Sequence, residues 1–219
     1  MDFFLKPFRS PREMPSRFYC PELPSQTKDF LLPSEVAHHA VRVLRLRYGE
    51  RIVVFDGKGL EFEGDLIELE GRPGVRLDER VASCREAPLG VTLVQALAVA
   101  DKMDWIVQKA VELGVARVQA VTSRRAVVRL AGDRAGRRVE HWQQIAVSAC
   151  EQCGRNHVPD VLPLLSFEQA LAQSTGQRLL LHPEGGVSLR AACLRREEPI
   201  SLLIGPEGGF DADELNAAR

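Results

Sequence analysis

Hydrophobic positions along the chain follow two different rhythms. Between Arg17 and about residue 80 they fall in short runs and alternations, Phe30-Leu31-Leu32, Ile52-Val53-Val54-Phe55, Leu60-Glu61-Phe62-Glu63 and Val75-Arg76-Leu77, a texture that predicts short strands. Asp56-Gly57-Lys58-Gly59 between two of them predicts a hairpin, because glycine supplies the positive φ that tight turns need. A single helix interrupts. Ser34 offers an N-cap after Pro33, and Val36, His39, Ala40, Val43 and Leu44 recur at helical spacing, which leaves His38, Arg42 and Arg45 on the polar face.

Past a linker at Cys84 to Gly90 strands and helices alternate, which is the grammar of an α/β domain. Val91 to Ala98 predicts a buried strand. Asp101 is expected to cap a helix whose Trp105, Ile106, Lys109, Ala110 and Leu113 form the apolar stripe, and Gly114 to end it. Arg117 to Val121 reads as the next strand. An arginine-rich stretch follows, then a helix from about Val139 to Gln152 with Trp142, Ile145, Ala146 and Ala149 inward and Gly154 as its stop. A strand at Val158 to Val161 and a short helix capped by Ser166 lead to two apolar runs, Leu179-Leu180-Leu181 and Leu202-Leu203-Ile204.

Both runs end alike. The second stops at Gly205-Pro206-Glu207-Gly208-Gly209, after which Asp211 and Glu214 form a capping box and Phe210 and Leu215 a hydrophobic staple: strand, glycine loop, helix. The first stops at His182-Pro183-Glu184-Gly185-Gly186. Glycine turns at the carboxyl ends of strands in α/β sheets admit ligands close to the backbone. The spacing excludes the commonest phosphate loops. A P-loop needs Lys-Ser/Thr where Phe210-Asp211 stands, Gly205-Pro206-Glu207 breaks the Gly-x-Gly-x-x-Gly fingerprint, and an acidic Glu207 repels phosphate.

With 219 residues, 45% of them hydrophobic and 27% charged, the chain has room for two domains with full cores. Its formal charge of -1 supplies no global field for nucleic acid, so any such binding must come from local clusters. Arg42, Arg45, Arg47 and Arg51 make one cluster; Arg124, Arg125, Arg129, Arg134, Arg137 and Arg138 make another. The guanidinium fork suits phosphate. Five scattered cysteines and no signal-peptide pattern fit a reduced, cytoplasmic setting. Cys150-Glu-Gln-Cys153 has metal-like spacing, but no second Cys/His pair follows at zinc distance, so helix packing is expected there and no metal. No run approaches the roughly 18 apolar residues of a membrane span.

Five segments, taken in order, resemble one family: Arg42-Val43-Leu44-Arg45, Lys102 to Gly114 (KMDWIVQKAVELG), Ala149 to Asn156 (ACEQCGRN), His182-Pro183, and Ile204 to Gly209 (IGPEGG). They are similar to the RsmE family, bacterial methyltransferases of the trefoil-knot (SPOUT) class that make N3-methyluridine in the decoding region of 16S rRNA within the small ribosomal subunit. Residues 1–16, before the matching segments, read as a loose N-terminal extension. The resemblance implies a PUA-like β-barrel for RNA docking over 17–85, and an α/β SPOUT-type methyltransferase domain over 88–219 that binds S-adenosylmethionine and forms a homodimer. Carried over residue by residue, the cofactor would be held by Leu181, His182 and Pro183 and by Ile204, Gly205, Pro206, Glu207, Gly208 and Gly209. The family's third cofactor loop, Leu-Gly-x-Arg-x-Leu-Arg-x-Glu-Thr, and its last helix have no match in these residues. The expectation is a truncated domain with an incomplete knot, binding the cofactor weakly and inactive by itself.

Uridine N3 carries a weakly acidic proton, so its methylation is favoured by groups that stabilise the anion or accept the proton. Arg155, Asn156 and Glu207 are the candidate catalytic residues. Arg17, His39, Arg42, Arg45, Arg124 and Arg125 are the candidate RNA contacts, with phosphate pairing supplying most of the affinity. Glu207 reads two ways, as a base or as a carboxylate that hydrogen-bonds neighbouring backbone N–H groups. The competing class is a non-catalytic RNA-binding module, which would keep the arginines without needing a cofactor loop.

Overall fold

The computed structural model describes residues 15–26, 28–81, 85–184, 186–192, 194–195 and 197–218. Most of the expected extension over 1–16, Cys84 of the linker and Gly185 of the first glycine loop lie outside the described residues. The chain divides into two units, Met1–Asp56 with Leu60–Ala82, and Gly57–Gly59 with Ser83–Arg219.

The first unit holds β1 (Ser16–Tyr19), β2 (Asp29–Leu31), the helical turn α1 (Ser34–His38), β3 (Arg51–Phe55), β4 (Glu61–Leu69) and β5 (Arg72–Arg80). The strands form one sheet in the order β1-β3-β4-β5-β2, antiparallel except for β1 against β3. Strand alternation sends Ile52, Val54, Phe62, Leu66, Val75 and Leu77 into a core with Phe18 and Leu32. β4 and β5 are joined through Glu70 and Gly71, both at positive φ (52° and 73°), the geometry of a two-residue hairpin.

Around α1 the structure departs from the periodic reading. Pro33, not Ser34, is the N-cap residue, without a side-chain bond. The helix continues as a π-helical turn, His39–Val43, and the wider turn rotates everything after it off the expected face. Val43 and Leu44, expected inside, are 58% and 44% exposed, while Val41 and Leu46 pack against the core.

The second unit runs β6 (Val91–Ala96), α2 (Ala100–Glu112), β7 (Arg117–Thr122), α3 (Asp133–Cys153), β8 (Asp160–Ser166), α4 (Phe167–Gln173), β9 (Gln177–Leu180), β10 (Ile200–Ile204) and α5 (Ala212–Ala217). All five strands are parallel, in the order β8-β7-β6-β10-β9. The chain builds outward from β6 to β8, then crosses to the far edge and returns, so a topological switch falls between β6 and β10.

Three helix expectations need correction. Val99 occupies the N-cap of α2 and Asp101 lies in its first turn. The buried stripe of α2 is Met103, Val107 and Val111; Trp105 and Leu113 are 60% and 86% exposed. Two stripes on this helix are comparably apolar, and periodicity cannot say which one the sheet takes. α3 begins at Asp133, six residues before the expected Val139, because its first turns are charged good helix formers with no buried face. Its buried residues Trp142, Ala146 and Ala149 and its left-handed stop at Gly154 (φ 87°) are as read from the sequence.

Candidate functional site

The two glycine turns leave adjacent strands at the same edge of the sheet. Leu203 of β10 is in register with Leu180 of β9, and the Leu181 N–H donates to the Leu203 carbonyl at 3.0 Å. The turns at Pro183 and Pro206 are therefore neighbours, as two ligand-binding strand ends require.

The turn after β10 is built tightly. A Cβ on Gly205 would sit 3.3 Å from the Gly209 backbone and from the Phe210 ring, so the backbone closes on itself there, and Gly209 adopts φ 69°. Phe210 is buried and stacks on Phe167 with ring centroids 4.6 Å apart. Beyond it, Asp211 and Glu214 make the reciprocal capping box that starts α5.

Charged groups fasten this turn to both flanking segments. Glu207 Oε1 accepts from Lys102 Nζ at 3.2 Å and from the Val99 N–H at 3.5 Å, which ties the turn to the start of α2. Its own backbone N–H and the Lys102 ammonium hold the Glu207 carboxyl below the usual carboxylate range. On the other side Arg125 Nη1 donates to the Gly208 carbonyl at 3.3 Å, and Arg124 Nη1 pairs with Asp211 at 3.1 Å and with Asp213. The Glu214 N–H and then Arg124 hold Asp211 low as well.

A cavity of about 550 Å³ opens at the switch between β6 and β10, against the Gly205 turn. Leu93, Gln95, Trp105, Ile106 and Ile204 line it, so the second apolar stripe of α2 faces this space. Gln95 is buried and its amide donates to the Ala96 carbonyl at 2.9 Å.

The turn after β9 is more open. Leu181 is 55% exposed and His182, Pro183 and Glu184 are exposed. The Glu184 N–H donates to His182 Nδ1 at 3.2 Å, a bond within the turn itself.

Of the candidate RNA contacts, His39, Arg42 and Arg45 are exposed on and just after the π-helical turn, with Arg45 in the left-handed region at φ 56°. Arg124 and Arg125 are exposed on the segment after β7. Arg17 differs from them: its guanidinium is buried, binds both Glu61 oxygens at 3.0 and 3.1 Å and lies over the Phe55 ring, so in this structure it stabilises the sheet. Arg155 and Asn156 lie inside the second unit. Arg155 is 6% exposed; it donates to the Val111 and Val115 carbonyls at 2.9 and 3.0 Å and pairs with Glu86, fastening the end of α2 to the linker. Asn156 is 2% exposed and its carbonyl accepts the Gly59 N–H at 3.1 Å.

Lys102 is not among the residues expected at the site. A lysine in the first turn of a helix opposes the helix dipole, and that misplacement signals a carboxylate partner, here Glu207. Among the described residues no cluster of His, Cys, Asp and Glu could hold a metal ion, and no helix is long and apolar enough to cross a membrane.

A family model for RNA methyltransferase domains matches residues 85–219, and one for the PUA domain of RNA methyltransferases matches residues 32–78. The chain is 31% identical over 196 residues to the ribosomal RNA small subunit methyltransferase E of Bacillus subtilis, covering 85% of this chain and 77% of that protein. It belongs to the ribosomal RNA small subunit methyltransferase E family. The methyltransferase E of Neisseria gonorrhoeae, solved bound to S-adenosylmethionine, superposes with a TM-score of 0.85 at 38% identity, over 93% of this chain and 85% of that one. A Legionella pneumophila protein solved with the same cofactor gives 0.86 at 29% identity, over 93% and 85%. The resemblance to the RsmE family, and the PUA-like domain joined to an α/β methyltransferase domain, are thereby established.

Proposed function

We propose, in place of the inactivity expected from the unmatched third loop, that this chain carries the activity of its family: S-adenosylmethionine-dependent methylation of 16S rRNA of the small ribosomal subunit at N3 of a uridine, in the cytoplasm and as a homodimer. The Gly205 turn and the cavity beside it are formed within these residues. The observation that carries the reading is the pair of glycine turns on adjacent strand ends, one of them held in place by Glu207, Arg125 and Asp211.

The residues present fit the methyl donor. Ile204 to Glu207 line the mostly apolar cavity beside β10, and the segment from Gly205 to Gly209 contains no lysine or serine to grip a phosphate, which suits a donor without phosphate groups. Ile204 to Gly209 and Leu181 to Pro183 would hold it. When bound, S-adenosylmethionine supplies an activated methyl group, and the protein's contribution is placement and electrostatics. The Lys102 pair keeps Glu207 ionised beside the turn, so Glu207 positions the loop. Arg42 and Arg45 in the first unit, and Arg124 and Arg125 in the second, offer exposed guanidinium groups to RNA phosphates. The apolar face of α2 around Trp105 and Leu113 supports self-association.

Incubation of the chain with isotopically labelled S-adenosylmethionine and small ribosomal subunits, followed by nuclease digestion and mass spectrometry, tests the proposal. N3-methyluridine in 16S rRNA is expected. No label in RNA, or label on another atom or base, would refute it.

A further inference from the structure

We propose that Glu214 is a positioning residue that couples RNA engagement at Arg124 and Arg125 to methyl-donor binding at the Gly205–Phe210 turn; the inference rests on the proposed donor and RNA sites. Glu214 is 2% exposed, and a buried carboxylate is unfavourable unless its oxygens are satisfied. They are. Oε2 accepts the Ser123 hydroxyl at 3.2 Å and the Asp211 N–H at 2.9 Å, and Oε1 accepts the Arg124 N–H at 2.9 Å. A capping box needs only the bond to Asp211. The other two reach a segment 90 and 91 residues earlier in the chain, which starting α5 does not require.

The same two segments are bridged again in the opposite sense. Arg124 pairs with Asp211 and Asp213, and Arg125 donates to the Gly208 carbonyl. The arginines that would meet phosphates and the turn that would hold the donor are thus parts of one fastened body, with the Glu214 carboxylate as its buried joint. A ligand that holds either end in its bound position holds the other end through this joint, and the second ligand then binds to a site already positioned. The result is a positive coupling that must be reciprocal.

Titration of a fluorescently labelled RNA oligonucleotide with unpaired uridines onto the chain measures the coupling as the ratio of its dissociation constants without and with saturating S-adenosylhomocysteine. That compound fills a donor site but has no methyl group to transfer. The wild type is expected to bind RNA roughly five-fold or more tightly with it present. Glu214→Gln keeps one acceptor oxygen but sets its NH2 against the Arg124 N–H or the Asp211 N–H, which breaks the joint on one side and should bring the ratio to about one, a loss of the roughly five-fold coupling. Ser123→Ala removes one bond without leaving a charge unpaired, should bring the ratio part-way, and is checked for folding by its melting curve.

A merely structural residue would weaken both ligands and leave the ratio unchanged. An unchanged ratio in a folded Ser123→Ala, or no coupling in the wild type, overturns the proposal. Absence of any S-adenosylhomocysteine binding to the wild type by calorimetry is a different result: it overturns the donor reading and this inference with it.

Discussion

The turns after β9 and β10 begin with nearly the same residues and end in different physical states. His182-Pro183-Glu184 is exposed and bonds within itself, whereas Gly205-Pro206-Glu207-Gly208-Gly209 is fastened at Glu207, Gly208, Phe210 and Asp211 to three other segments. The Pro-Glu-Gly-Gly motif is common to both. The residues C-terminal to it make the difference: Phe210 enters the core and Asp211 starts a capped helix, while Val187 and Leu189 stay 76% and 68% exposed. A glycine motif thus specifies a turn, and its flanking residues decide whether that turn is rigid enough to hold a ligand in a fixed pose.

The largest effect should come from removing the anchor of the second turn. Phe210→Ala deletes a buried ring stacked on Phe167 and is expected to cost about 3–5 kcal/mol in urea unfolding. Val187→Ala, at the corresponding place after the first turn, removes an exposed side chain and should stay within about 0.5 kcal/mol. Equal losses would break the comparison. Next comes Glu214→Ala, which strips an acceptor from the Ser123 hydroxyl and the Arg124 and Asp211 N–H groups; about 2–3 kcal/mol is expected in the same assay.

Local features of the second turn were legible in the sequence because their partners are near in the chain. The Asp211–Glu214 capping box, the Ser166 cap of α4 and the Gly154 stop each depend on residues three or four apart. The long-range ones were not. Nothing in the residues around Glu214 shows that its carboxylate reaches Ser123, and nothing around Arg155 shows that its guanidinium turns inward to the Val111 and Val115 carbonyls. A charged residue after a helix looks the same in sequence whether it faces a ligand or caps a neighbour. The two apolar stripes of α2 pose the same difficulty in another form: Met103, Val107 and Val111 share the spacing of Trp105, Lys109 and Leu113, and tertiary packing alone chose between them. At α1 the periodic rule failed because the π-helical turn changed the period itself.

The smallest effect concerns the Glu207–Lys102 pair, and its pH dependence sharpens the comparison most. The pair is well exposed, at 36% and 61%, so Glu207→Gln should cost at most about 1 kcal/mol at neutral pH. Glu207 has a folded-state pKa lowered from its ordinary value of 4.5, which makes its contribution fully present above that value and lost as pH falls through the lower, folded one. Urea unfolding of the wild type and of Glu207→Gln across the acid range should therefore give stability curves that are separated and parallel at neutral pH and converge below 4.5. A gap that persists or widens at the acid end would mean that Glu207 does not hold the turn through its charge, and the distinction between the two turns would then rest on Phe210 and the α5 cap alone.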